Sequence, residues 1–259
     1  MAIIKNSRNL QGKSEKGDST DESLDTLFQG RLAIIQRKRG YRFSLDAVLL
    51  AHFVNVSSRE KVIDLGTGSG VIPLILASLD PSVRITGLEI QEGMVERALR
   101  SVSLNRLGES VGIIQGDVCS IKQIFPPQSF DAAVCNPPYR RATSGRINPD
   151  VERRVARHEI KGCLRDFLRA GSYLLRRRGR MSLVYPAART VDLLQTMREE
   201  DIEPKRLRLV HSFAGSAATL ILAEGLRGGR RELKIMPPLV VYTEERQYTS
   251  EMRAVLAGR

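Results

Sequence analysis

The stretch Lys61-Val62-Ile63-Asp64-Leu65-Gly66-Thr67-Gly68-Ser69-Gly70 decides the fold of this 259-residue chain. Its first half is a short apolar run, which predicts a buried strand. The glycines that follow predict a tight loop, since glycine adopts backbone angles that other residues avoid. Helical periodicity resumes at Val71, so the stretch predicts a strand, a loop and a helix, the unit from which parallel sheets are built.

The same alternation continues along the chain. We predict helices over 45–53, 71–79, 92–107, 160–178 and 188–199, and strands over 83–88, 111–115, 130–135 and 180–185. The segments 206–210, 219–223 and 239–242 have no helices between them and predict antiparallel strands. We therefore expect an α/β fold, a doubly wound, mostly parallel, seven-stranded Rossmann-like sheet with an antiparallel edge hairpin. Ligands of such sheets bind at the carboxyl ends of the strands.

Composition predicts one globular domain. Residues 1–24 are polar and are expected to be disordered or loosely attached, whereas residues 25–259 are expected to form a single domain. No apolar run approaches the roughly 20 residues that span a bilayer, and no secretion signal is evident, so we expect a cytoplasmic protein with no membrane partner. Cys119, Cys135 and Cys163 have no paired spacing, which argues against a metal site. Nothing in the sequence indicates an oligomeric state.

Acidic residues follow three of the predicted strands and indicate the ligand of the glycine loop. The loop spacing is GxGxG, which differs from the GxGxxG of dinucleotide enzymes and from phosphate loops. Asp64 would repel a pyrophosphate, whereas it suits a ligand with an amino group and a sulfonium, such as S-adenosylmethionine. Glu89 can accept hydrogen bonds from both ribose hydroxyls, and Asp117 can bind an adenine amine.

A second motif, Asn136-Pro137-Pro138-Tyr139, follows the strand predicted at 130–135. The two prolines force an extended turn and remove two N–H groups, so the Asn136 amide oxygen and the Pro137 carbonyl are both free to accept. Two such acceptors fit a planar NH₂ group, and Tyr139 offers a face on which a base can stack. We therefore predict that residues 136–139 are catalytic and that they methylate a conjugated amine.

Over residues 41–225 the chain resembles the class I S-adenosylmethionine-dependent methyltransferases. The resemblance implies that Gly66 and Gly68 lie near the methionine moiety, Glu89 at the ribose and Asp117 at the adenine. Residues 136–139 resemble the (Asn/Asp)-Pro-Pro-(Tyr/Phe) signature of amino-group methyltransferases. This signature does not separate adenine, guanine and glutamine amides.

Residues 36–51, with Ala156-Arg157-His158-Glu159 and Tyr248-Thr249, are similar to the bacterial tRNA adenine-N6 methyltransferases that modify valine tRNA beside the anticodon. This resemblance covers residues 27–255 and implies that an N-terminal segment closes over the cofactor through Tyr41, Phe43 and Asp46. The full set of residues expected at the cofactor is Tyr41, Phe43, Asp46, Asp64, Gly66, Gly68, Gly70, Glu89, Ile90, Gly116, Asp117, Val118 and Asn136.

Charge favours a nucleic-acid substrate. The formal net charge is +12, and residues 140–180 contain 13 Lys and Arg against four Asp and Glu. Basic side chains neutralise phosphates, so we expect the residues beside the turn to contact RNA, namely Tyr139, Arg140, Arg141, Arg157 and His158. For Arg165, Arg169 and 176–178 we favour a solvated helix face.

The expected reaction is methylation of an adenine amine in RNA, most plausibly in tRNA near the anticodon. Guanine-N2 methylation of ribosomal RNA stays open. Protein glutamine methylation is less favoured, because only a short organised segment precedes Asp64, and a DNA target is disfavoured because no separate recognition domain is evident. A non-catalytic RNA-binding module with a vestigial cofactor site is the alternative from another class. Neither the RNA species nor the nucleotide follows from the sequence.

Overall fold

The computed structural model describes residues 21–38, 43–139 and 163–258. Five parallel strands lie side by side in its larger sheet, in the order β5-β4-β3-β6-β7. They are β3 (Lys61–Leu65), β4 (Arg84–Glu89), β5 (Val111–Gln115), β6 (Phe130–Cys135) and β7 (Leu175–Pro186). Next to β7 lies β9 (Ala218–Arg227), which is antiparallel both to β7 and to β8 (Ile202–Phe213). The predicted doubly wound α/β fold is confirmed.

Two short strands extend this sheet to nine strands, where seven were predicted. They are β10 (Lys234–Ile235) and β11 (Leu239–Tyr242), and both pair with β8 in parallel. The prediction that residues 239–242 are antiparallel was therefore wrong. The reason is that β9 ends beside Ile202 at the start of β8. The chain turns there and then follows the outer edge of β8 in the same direction.

Helices cover both faces of the sheet. They are α1 (Leu45–Phe53), α2 (Val71–Leu79), α3 (Glu92–Leu104), α4 (Ile121–Ile124), α5 (Leu164–Leu174), α6 (Thr190–Glu199) and α7 (Ser250–Leu256). Alternate residues of a strand face opposite sides, and Val62 accordingly packs in one apolar cluster with α1, α2 and α7, whereas Ile63 and Leu65 pack in another with α5 and α6. No helix in the described ranges is both long and apolar enough to cross a bilayer.

The helix predicted over 160–178 ends at Leu174, and residues 160–162 lie outside the described residues. Leu175 already pairs with Phe130 of β6, and Ala132 pairs with Arg180, so residues 176–179 form a bulge opposite Asp131. Arg178 has a φ of 64° in this bulge. Both Leu174 and Leu175 are buried, and for this reason apolar spacing alone did not reveal where helix gives way to strand.

An N-terminal hairpin forms a separate two-stranded sheet. Its strands are β1 (Glu22–Leu27) and β2 (Leu32–Arg37). The backbone N–H groups of Ala33 and Ile35 donate to the side chains of Asn105 and Ser101, at 2.9 and 3.0 Å, which attaches the hairpin to α3. β1 begins inside the segment 1–24 that was expected to be loosely attached, and residues 1–20 lie outside the described residues.

Candidate active site

Two loops leave the carboxyl edge of the sheet side by side. Leu65, the last residue of β3, is in register with Cys135, the last residue of β6. Paired strands lie about 4.8 Å apart, so the glycine loop that begins at Gly66 and the turn that begins at Asn136 emerge as neighbours. The two motifs that the sequence singled out therefore border one site.

The glycine loop depends on positive φ angles, which are 73° at Gly66, 58° at Gly68 and 79° at Gly70. The loop folds back on β4, where the N–H groups of Gly66 and Thr67 donate to the Leu88 carbonyl at 2.8 and 2.9 Å. A Cβ built on Gly66 would lie 3.1 Å from the ring of Phe167 in α5. Backbone angle and lack of space both require glycine at position 66.

Glu89 is held in place by two backbone donors. Its Oε2 accepts from the Gly68 N–H at 2.9 Å, and its Oε1 accepts from the Gln91 N–H at 3.0 Å. The residue is only 6% exposed. Each carboxylate oxygen retains acceptor capacity after these bonds, so the arrangement supports the expectation that Glu89 binds a ribose.

Asp64 is a buried acid without a hydrogen-bond partner at either carboxylate oxygen among the described residues. Burial raises the pKa of this carboxyl to about 7, and the nearby Glu89 charge adds to the rise. A buried charge requires an opposite charge, and here a ligand ammonium would supply it. The orphaned oxygens of Asp64 and the oriented carboxylate of Glu89 thus fit S-adenosylmethionine.

The expected adenine-side residues lie at the end of β5. Asp117 Oδ1 accepts from the Cys119 N–H at 2.9 Å and caps the turn 118–120. The Gly116 N–H donates to the Glu89 carbonyl at 2.9 Å, which ties this segment to β4. Ile90 is half-buried and Val118 is buried. Adenine binding by these residues stays a prediction.

The turn at 136–139 contains two prolines, each of which fixes its own φ. Pro137 is buried and Pro138 is exposed, whereas Asn136 and Tyr139 are half-buried. The Tyr139 hydroxyl lies 2.7 Å from Asn136 Oδ1 and 3.2 Å from Asp46 Oδ2. The Asn136 amide is therefore oriented by a residue of its own turn.

Two residues at and just after the end of β7, Tyr185 and Arg189, contact the turn, and sequence reasoning missed both. Arg189 donates from Nη1 to the Tyr139 carbonyl at 3.2 Å, and its guanidinium carbon lies 4.9 Å from the centre of the Tyr185 ring. The rings of Tyr185 and Tyr139 meet edge to face at 5.7 Å. Neither residue belongs to a motif, so no signal in the sequence identified them.

The N-terminal segment reaches this turn through Asp46, as the contact with Tyr139 shows. Phe43 instead packs in the apolar core, and its N–H donates to Gln36 Oε1 at 2.8 Å. Tyr41 lies outside the described residues, as do Arg140, Arg141, Arg157 and His158. Their expected contacts with cofactor and substrate stay predictions.

Arg165 and Arg169 lie on α5, as expected of a solvated helix face, whereas residues 176–178 lie in the bulge of β7, so the expectation of a helix was wrong for them. Arg165 and Arg169 pair with Glu200, at 2.8 and 3.2 Å, and Arg176 pairs with Asp131 at 2.7 Å. Exposed ion pairs of this kind contribute little to stability, because water screens them. Within the described part of the chain, no cluster of three His, Cys, Asp or Glu side chains forms a site for a metal ion.

A glycine loop, a buried acid below it and an Asn-Pro-Pro-Tyr turn beside it, on a sheet of this order, define a class I methyltransferase. The sequence pattern of the methyltransferase small domain matches residues 45–200. The chain belongs to the methyltransferase small domain family.

Individual proteins show the same relationship. A tRNA1(Val) (adenine(37)-N6)-methyltransferase of Porphyromonas gingivalis is 30% identical over 75% of this chain and 78% of its own length. The protein of the same name from Aeromonas hydrophila is 31% identical over 71% of this chain and 75% of its own length. A crystal structure of a predicted O-methyltransferase from Agrobacterium tumefaciens has a TM-score of 0.68 at 22% identity, covering 83% of this chain and 96% of that one. The structural match confirms the fold.

Proposed function

We propose that this chain transfers a methyl group from S-adenosylmethionine to the N6 amine of an adenine in RNA, with a tRNA nucleotide beside the anticodon as the substrate. The observation that carries the proposal is the register of Leu65 with Cys135, which sets the glycine loop and the Asn-Pro-Pro-Tyr turn next to each other. The names of the two relatives described above support tRNA and adenine as the substrate.

The cofactor supplies an electrophilic methyl carbon bonded to a sulfonium. Asp64 would bind its amino group, Glu89 its ribose and Asp117 its adenine, while the glycine loop admits the methionine moiety. These residues hold one reactant in place, which contributes to rate because alignment is arranged before the reaction starts.

The turn holds the other reactant. Asn136 Oδ1 and the Pro137 carbonyl accept the two hydrogens of the substrate amine, which favours a pyramidal nitrogen with its lone pair on the opposite side. As the bond between nitrogen and the methyl carbon forms, the bond from that carbon to sulfur breaks and S-adenosylhomocysteine is the product. The positive charge that develops on the nitrogen is stabilised by the two oxygens, and one amine proton is then released to solvent. Fixed dipoles of this kind are typically worth about 3–4 kcal/mol each. A carbonyl oxygen has two lone pairs, so Asn136 can accept from Tyr139 and from the substrate together.

The target base must leave its stack to reach this turn, which costs a few kcal/mol. Stacking on the Tyr139 ring returns about 1–3 kcal/mol. The expected phosphate contacts of Arg140, Arg141 and Arg157 would contribute the rest. We propose a cytoplasmic reaction, which the expected RNA substrate and the three free cysteines support.

The test is transfer of a tritiated methyl group from S-adenosylmethionine to total tRNA, ribosomal RNA and protein, followed by digestion of labelled RNA to nucleosides. We expect label in tRNA that elutes as N6-methyladenosine. Label in a guanosine, or in protein alone, would overturn the substrate assignment. A wild-type chain that binds no S-adenosylmethionine in a calorimeter would indicate the vestigial module instead.

A further inference from the structure

A basic cleft of about 390 Å³ lies away from the carboxyl edge of the sheet. The bulge of β7 contributes Arg177 and Arg178, β8 contributes Lys205, and the segment after β9 contributes Arg230. The remaining lining consists of Leu226 and the glycine pair at 228–229. Four cations thus line one cleft, and none of the acidic side chains that the structure describes is part of its lining.

The cations of the cleft are not paired with the acids that lie near it. None of the four forms an ion pair with a carboxylate of the described residues, and Lys205 Nζ donates to the Arg230 carbonyl at 3.0 Å. The neighbouring acids have other partners: Glu203 pairs with Arg198 at 3.0 Å, and Asp201 with Arg227 at 4.0 Å. Four uncompensated charges around a concave surface create a positive potential that attracts an anion.

The backbone is shaped to present these side chains. Arg178 adopts a φ of 64°, in a region that non-glycine residues avoid. Gly228 has a φ of 60°, and a Cβ on Gly229 would lie 3.2 Å from that of Glu203. The bulge and the tight turn at 228–229 together bring these side chains to one cleft.

The cleft lies at the edge of the sheet opposite the methyl-transfer site. Leu175 pairs with the first residue of β6, whereas Leu183 pairs with the last. From Arg178 to Leu183 the strand rises about 17 Å, at about 3.3 Å per residue. That rise equals roughly five nucleotides of stacked strand at 3.4 Å each. An RNA that occupies both places must therefore extend at least about five nucleotides from the reacting base.

We propose that the cleft lined by Arg177, Arg178, Lys205 and Arg230 is a second RNA-backbone site, which binds phosphates of the substrate away from the reacting base. The proposal rests on the proposed function in one respect, namely that the substrate is RNA. It adds that affinity for a folded RNA depends on residues that take no part in the reaction.

The test is the triple substitution Arg177→Gln, Lys205→Gln and Arg230→Gln, which leaves the strained Arg178 in place. The matched control removes three exposed cations elsewhere that have ordinary backbone angles, with Arg84→Gln, Lys122→Gln and Arg253→Gln, so that both variants lose the same charge. Thermal midpoint and affinity for S-adenosylmethionine serve as checks on folding. Binding to total tRNA is measured as a function of salt, and KM and kcat are measured on tRNA.

We expect the triple variant to raise KM for tRNA by about tenfold or more, with kcat within about twofold, and to reduce the slope of log Kd against log salt by about two to three. The control variant should change KM and the salt slope much less. A triple variant that matches the control in KM and in salt slope would overturn the proposal.

Failure of the proposed function is distinguishable from this result. A wild-type chain that binds tRNA without methylating it would refute the reaction, while the salt slope of the variant would still decide the role of the cleft. A wild-type chain whose tRNA binding does not depend on salt would refute the cleft directly.

Discussion

The hydroxyl oxygen of Tyr139 lies 3.2 Å from Oδ2 of Asp46, although the two residues are 93 positions apart. The same hydroxyl lies 2.7 Å from Asn136 Oδ1. A phenol has one hydrogen to donate, so Tyr139 bonds to one of these oxygens at a time. The Tyr139 hydroxyl is therefore the contact between helix α1 and the reacting turn, and its one hydrogen can bond to either acceptor.

We predict from this contact that Tyr139→Phe retains stacking and loses orientation of Asn136. Removing one hydrogen bond of about 1 kcal/mol should lower kcat about fivefold with little change in KM for RNA. Asp46→Ala acts through the same hydroxyl, so the double variant should be no slower than Tyr139→Phe alone. Steady-state kinetics of the wild type, the two single variants and the double variant give a double-mutant cycle. Losses that simply add would show that Asp46 acts independently, and Tyr173→Phe is the matched remote control.

Replacement of Asn136 should separate chemistry from cofactor binding. Asn136→Ala removes an acceptor of the substrate amine, so we predict that kcat falls by about 10²–10³-fold. Affinity for S-adenosylmethionine, measured by calorimetry, should stay within about twofold. Asn55→Ala, at an exposed position, is the control and should retain full activity. An Asn136→Ala protein with wild-type kcat would refute the role of the turn.

Cofactor affinity should depend on pH through Asp64. Burial raises the pKa of this acid to about 7, so below that pH its proton must leave before it can bind an ammonium. We predict that Kd for S-adenosylmethionine rises about tenfold per unit as pH falls below 7, and that binding near pH 6 releases close to one proton. Calorimetry in buffers of different ionisation enthalpy measures both quantities.

Asp64→Asn is the control for this titration. The variant should bind more weakly at neutral pH and lose the pH dependence below 7. The raised pKa also means that the folded chain binds this proton more tightly than the unfolded chain, whose value is near 3.8. Without ligand, the free energy of unfolding should therefore decrease as pH rises from 3.8 toward 7, and Asp64→Asn should remove this contribution. A variant with an unchanged pH profile would exclude Asp64 as the titrating group.

Gly66→Ala should damage the cofactor site through the backbone. The φ of 73° and the 3.1 Å approach to Phe167 both oppose a Cβ, and a left-handed alanine costs about 1–2 kcal/mol. We predict a lower thermal midpoint and at least about tenfold weaker binding of S-adenosylmethionine. Gly112→Ala is the matched control, because a Cβ there meets nothing within 4 Å and φ is ordinary. Equal effects of the two substitutions would contradict the account.

Sequence patterns predicted the parts of the fold that are set by neighbouring residues. The bounds of β3, β5, β6, α1 and α2 are confirmed, because each has a clear apolar period between turn residues. The bulge at 176–179 and the hairpin of β1 and β2 were missed. Both are stabilised by distant partners, Asp131 in the first case and Asn105 with Ser101 in the second.

The residues of the candidate site also fall into those that local sequence predicted and those that only the fold brings together. Asp64, Glu89 and Asn136 were recognisable because each follows a strand or lies at its end, and parallel strands end at one edge. Arg189 is 50 residues from Tyr139 and meets it only after the sheet has formed. No local pattern encodes such a contact.

The buried side-chain amide of Gln36 connects the N-terminal hairpin to the reacting turn. Gln36 is 2% exposed and bonds both to Asp25 of β1 and to the Phe43 N–H just before α1. Three residues further on, Asp46 holds the Tyr139 hydroxyl. A shortened chain that starts at α1, where the matched family region also starts, would lose the contacts through which the hairpin fixes the start of α1 and, through Asp46, the reacting turn.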